Sequence, residues 1–72
     1  MSITINGTTG ISGVDGSAGT PALQGSDPNT GIYSPGADQV AISTNGTGRL
    51  FVDSAGLVGI GTSNPGDPLT VK

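Results

Sequence analysis

Asp38-Gln39-Val40-Ala41-Ile42-Ser43-Thr44-Asn45-Gly46-Thr47-Gly48-Arg49-Leu50-Phe51-Val52-Asp53-Ser54-Ala55-Gly56-Leu57-Val58-Gly59-Ile60-Gly61-Thr62 holds three short apolar runs separated by two turn signals. Val40 and Ile42 alternate with Gln39, Ala41 and Ser43, a period of two that belongs to a strand. Asn45-Gly46 is the strongest short hairpin signal, because both residues tolerate the positive φ of a tight turn. Arg49 to Asp53 reads as a second strand, with Leu50 and Val52 on one face and Phe51 on the other. Ser54-Ala55-Gly56 turns the chain again, and Leu57 to Gly61 forms a third strand with Val58 and Ile60 on one face. Turns about ten residues apart, joining strands of about five, predict an antiparallel meander. One face of it collects Val40, Ile42, Leu50, Val52, Val58 and Ile60, the predicted assembly core.

Outward from this segment the signals weaken. Ser63-Asn64-Pro65-Gly66-Asp67-Pro68 is a rigid bend before a last short strand, Leu69-Thr70-Val71. Upstream, Ile3 and Ile5 alternate with Ser2, Thr4 and Asn6 and stop at Gly7, which predicts a short strand and a turn. Residues 8–31 are rich in Gly, Ser, Thr, Pro and Asp and read as extended chain with very short strands. Helix is nearly excluded, because Gly or Pro recurs every few residues and no window shows an apolar 3.6-residue period. The organisation expected is therefore a Gly/Ser/Thr-rich extended segment, 1–37, followed by a β-meander module, 38–72. Asn6-Gly7-Thr8, Val14-Asp15 and Ser17-Ala18-Gly19 echo Asn45-Gly46-Thr47, Val52-Asp53 and Ser54-Ala55-Gly56 at offsets of 39, 38 and 37 residues. The echo is either a degenerate repeat of the sort found in arrays and fibres or a coincidence of a biased composition.

Composition sets limits on function. The 72 residues include 14 Gly and 5 Pro, no Cys and no His. There is consequently no disulfide, no zinc site of the usual kind and no Ser-His or Cys-His pair. So few large apolar side chains in so short a chain do not close a rich core, and small chains of this kind lean on disulfides, metals or oligomerisation. With the first two absent or weak, oligomerisation is the inference. Disorder is the rival, but only 10% of the residues are charged, fewer than disordered chains usually carry. A net charge of −3 with two separated cations, Arg49 and Lys72, argues against nucleic acid as a partner. No apolar run approaches a membrane span, and Met1-Ser2-Ile3-Thr4-Ile5 lacks the basic start of a signal peptide.

At Asp27-Pro28-Asn29-Thr30-Gly31-Ile32-Tyr33-Ser34-Pro35-Gly36-Ala37 the sequence resembles the repeat and shaft segments of bacteriophage tail-fibre proteins, particularly of marine phages and cyanophages. The likeness runs on through Ala41 to Thr47, Arg49 to Gly56, Val58-Gly59-Ile60-Gly61-Thr62-Ser63-Asn64-Pro65 and Leu69-Thr70-Val71. Pro21-Ala22-Leu23-Gln24 departs from the usual pattern at the upstream edge. The resemblance implies an all-β, elongated, intertwined homotrimeric module of a virion fibre that is not an enzyme and needs no cofactor. Its partners are then copies of itself and other virion or fibre proteins. Two other readings fit the residues: a receptor- or glycan-binding adhesin module contacting host surface glycan through residues 16–37, and a bacterial filament subunit that exchanges strands with its neighbours.

Residues that carry chemistry elsewhere read here as turns. Gly59-Ile60-Gly61-Thr62-Ser63 lacks the Lys and the following helix of a phosphate loop. Asp27-x-Asn29-x-Gly31 has the oxygen spacing of a calcium loop's start without its closing Glu, and Asp and Asn beside Pro commonly cap turns. The sequons Asn6-Gly7-Thr8 and Asn45-Gly46-Thr47 are equally Asn-Gly turns. The Asp residues each sit in a turn-like context, unlike the cleft-bound carboxylate pair of a glycosidase. Of the two aromatics, Phe51 is expected to pack, and Tyr33, beside Ser34-Pro35, is expected to be exposed as a surface contact.

Overall fold

A computed structural model describes residues 4–8 and 10–72. Among these the chain is all β, with eight strands and no helix. They are β1 (Thr4–Asn6), β2 (Gly10–Ser12), β3 (Leu23–Gln24), β4 (Gly31–Tyr33), β5 (Val40–Thr44), β6 (Thr47–Val52), β7 (Val58–Ile60) and β8 (Leu69–Val71). β1 and β2 form a separate hairpin, while β3 to β8 form one sheet whose strand order is the chain order. Residues 1–3, on which part of the expected first strand falls, lie outside the described residues.

The meander forms where the alternation of residues 38–62 places it, and each turn has a local cause. Asn45 and Gly46 both have positive φ, 53° and 73°, the two-residue hairpin geometry that matches strand twist. The Gly46 amide also donates to Asn29 O at 2.8 Å, which ties this turn to the β3–β4 loop. Between β6 and β7, the Asp53 carboxylate accepts from the amides of Ala55 and Leu57, each at 3.0 Å. Gly56 completes that turn at φ 85°. In the β1–β2 hairpin Asn6 pairs with Gly10, which takes the positive φ. Of the two Asn-Gly signals of the internal echo, Asn45-Gly46 forms its turn, whereas Asn6 ends β1 and only Gly7 leaves the strand.

Two features depart from a plain antiparallel meander. Every strand pair from β3 to β7 is antiparallel, but β8 pairs with β7 in parallel, Val58 with Leu69 and Ile60 with Val71. Parallel neighbours need a crossover. Residues 61–68 provide it, with Pro65 buried and the Thr70 hydroxyl accepting from the amides of Gly66 and Asp67, each at 3.2 Å. The second departure is a β-bulge. Ile42 pairs with Leu50 but Ser43 pairs with Gly48, which leaves Arg49 without a residue opposite. A one-residue insertion reverses the alternation beyond it. Gly48 therefore faces one side of the sheet while Leu50 and Val52 face the other. The sheet also crosses position 37, because β3 and β4 lie in it beside β5.

Candidate functional site

Register assigns every residue of the sheet to a face, since directly opposed residues point the same way. One row runs Tyr33, Ala41, Phe51, Gly59, Thr70 and a second runs Gln24, Gly31, Ser43, Gly48. This is the face that the chain covers with its own loops. Tyr33, Ala41 and Ser43 are buried, as are Gly59 and the loop residues Pro21 and Pro65. Small residues let the loops come close. A Cβ on Gly59 would overlap Thr62 O, and one on Gly31 would overlap Leu23 O and lie 3.0 Å from the Pro21 side chain. At Gly48 a Cβ would run into the Phe51 ring and come within 2.8 Å of the Tyr33 hydroxyl. The Ser43 hydroxyl, fully enclosed here, has no hydrogen-bond partner.

The opposite face is apolar from edge to edge. Leu23, Ile32, Ile42, Leu50, Ile60 and Val71 are successive register partners, one from each of the six strands. Beside them runs a second row, Val40, Val52, Val58 and Leu69. No charged residue interrupts either row, and none of the ten side chains is buried. Seven of them stand among the exposed large hydrophobics, from Ile42 at 39% to Val71 at 66%. Large contiguous apolar patches at a surface are where proteins commonly meet a partner.

The six residues expected to form an assembly core, Val40, Ile42, Leu50, Val52, Val58 and Ile60, all lie on this bare face. They are not the core of the single chain, whose buried side chains are on the loop-covered side. Four further members, Leu23, Ile32, Leu69 and Val71, escaped the sequence reading. β3 and β4 are too short, at two and three residues, for an alternation to show, and the face of Leu69 and Val71 depends on a parallel pairing that no local signal announces.

Tyr33 is placed differently from the expectation. It is 7% exposed and lies on the covered face across from Ala41. Its neighbour Ile32 takes the outward position, as consecutive strand residues must point to opposite faces. Phe51 packs on the covered face as expected. The Asp27 carboxylate serves its own turn, accepting from the Asn29 amide at 3.4 Å and the Thr30 hydroxyl at 3.1 Å. Among the described residues no group of three or more His, Cys, Asp or Glu is placed to hold a metal. Gly59-Ile60-Gly61-Thr62-Ser63 runs from β7 into the crossover, with no helix after it. Among the described residues no helix is long and apolar enough to cross a membrane.

No protein-family model, curated protein or solved structure matches this chain.

Proposed function

We propose that this chain is a structural, non-enzymatic module of a bacteriophage virion fibre, a tail fibre or similar appendage, working as a homotrimer. The observation that carries the reading is the bare apolar face. A chain that buries little more than Tyr33 and Ala41 of its apolar side chains, and leaves seven of the ten Ile, Leu and Val of one sheet face exposed and the other three half-buried, gains its missing burial from other copies of itself. The copy number of three and the virion setting come from the resemblance of residues 20–72 to fibre shaft segments. Mechanically, short strands pair within each chain and their apolar faces meet between chains, giving a stiff rod without catalytic parts. Light scattering on the purified chain tests it: a trimer is expected, and a folded monomer at micromolar concentration refutes the reading.

The sheet's two open edges favour one alternative, an open filament. β3 and β8 end the strand order on opposite sides, so one copy's β8 edge is free to meet the next copy's β3 edge. Long polymers in micrographs, in place of a closed particle, would select that arrangement.

A further inference from the structure

Among the described residues the β1–β2 hairpin has no neighbour among the strands of the larger sheet. Ile5 and Ile11 are directly opposed across it and are 70% and 69% exposed. Neither strand touches a strand of the larger sheet. A lone two-stranded hairpin is marginal in water at best, and this one has three-residue strands and a single apolar pair. Residues 4–14 carry no charge, so one face of the hairpin is free to enter an apolar contact without desolvating an ion.

The bare face of the sheet has a matching need. Six strands about 4.8 Å apart, bearing two rows of side chains about 7 Å apart, give a patch of roughly 300 Å² in projection. Its most exposed members are at the sheet edges, Leu23 at 62% and Val71 at 66%.

The root of the hairpin limits where it goes. The Ser34 amide donates to Asp15 O at 2.9 Å, and Gly16 bridges to Pro21, which packs against Gly31 on the covered face. Only Gly13 and Val14 join β2 to that anchor, a reach of roughly 10 Å. In the single chain the hairpin is rooted beside Ser34 and Pro21, and among the described residues neither of its strands lies against the larger sheet.

We infer that in the assembled protein each β1–β2 hairpin lies on the bare face of a neighbouring copy, with Ile5 and Ile11 against the apolar ladder. This rests on the assembly reading above and adds the element that clasps one copy to the next. The chain has no cysteine, so introduced ones report the contact directly. Full chains carrying Ile5→Cys are mixed with chains of different mass carrying Leu23→Cys, Ile42→Cys or Leu69→Cys, oxidised, and weighed without reduction. A mixed disulfide exceeding either self-disulfide, for at least one of the three, is the expected result. Face-to-face self-disulfides alone would overturn the clasp while leaving assembly intact. Closure within one chain, in a variant bearing both cysteines and diluted until wild type dissociates, would overturn it as well, since the hairpin then covers its own sheet. In parallel, Ile5→Asp with Ile11→Asp is expected to weaken self-association at least tenfold without altering the strand signal. Unchanged association of that variant would also sink the clasp. A wild-type chain that never associates ends both this inference and the reading beneath it.

Discussion

Ile60→Asp is the most direct probe of the apolar ladder. Ile60 lies between Leu50 and Val71 in the row and keeps 42% of its surface in the single chain. Full burial of an isoleucine is worth about 2.5 kcal/mol, so covering what remains contributes about 1 kcal/mol per copy on assembly. Asp forfeits that and leaves an unpaired carboxylate in the interface, a further cost of about 3 to 5 kcal/mol. The sum, about 4 to 6 kcal/mol per copy, is at least ~12 kcal/mol in the proposed trimer, which is about nine powers of ten in the association constant. Sedimentation equilibrium at micromolar protein should therefore show monomer only, with strand circular dichroism retained because the loop-covered face is untouched. The sign of the pH response adds a control. Burial raises a carboxyl's pKa and favours its neutral form, so association should partly return as the pH falls through that raised value. Ile60→Asn, which carries no charge, should associate more strongly than Ile60→Asp at neutral pH. Wild-type association of Ile60→Asp at neutral pH would refute the assignment of this face.

Other substitutions test the covered side and the turns. Gly59→Ala drives a Cβ into Thr62 O and should lose about 2 to 4 kcal/mol in a thermal or urea melt, whereas Gly19→Ala, with open space around its Cβ, should change little. Ser43→Ala removes a buried hydroxyl without a partner and should raise stability by about 1 kcal/mol; a drop of that size would show that the hydroxyl is satisfied after all. Asp53→Ala strips the acceptor shared by the Ala55 and Leu57 amides and should cost about 1 to 2 kcal/mol, read from the same melts, with Asp53→Asn retaining part of it.

The middle of the chain was legible because its signals are local. Period-two alternation marked β5 to β7, and Asn45-Gly46 and Ser54-Ala55-Gly56 marked the turns between them. No local signal marks the bulge at Arg49, yet Leu50 and Val52 share the face of Val40 and Ile42 as their apolar character predicts, because apolar character tracks the face even where strict alternation breaks. Tyr33 departs from expectation because its flanking Ser34-Pro35 suggests exposure, whereas the register with Ala41 and the space above Gly48 enclose the ring. The covered face itself was hidden. Its makers are glycines, prolines and loop carbonyls, whose contribution is a close approach between distant segments and leaves no apolar pattern to count.

The strand order, β3 through β8 in unbroken chain sequence, also has a consequence in time. No strand waits for a later one to be inserted beside it, so each pairing closes a short loop at small entropic cost. A growing chain can add strands one by one as they emerge. Each added strand widens the hydrophobic surface by one or two more Ile, Leu or Val. Sheet formation is then fast and unimolecular; where copies of the chain cover the ladder, as proposed, that step is slower and depends on concentration. Synthesis of several copies close together, where nascent chains meet before they meet anything else, shortens that exposed interval and the aggregation risk that goes with it.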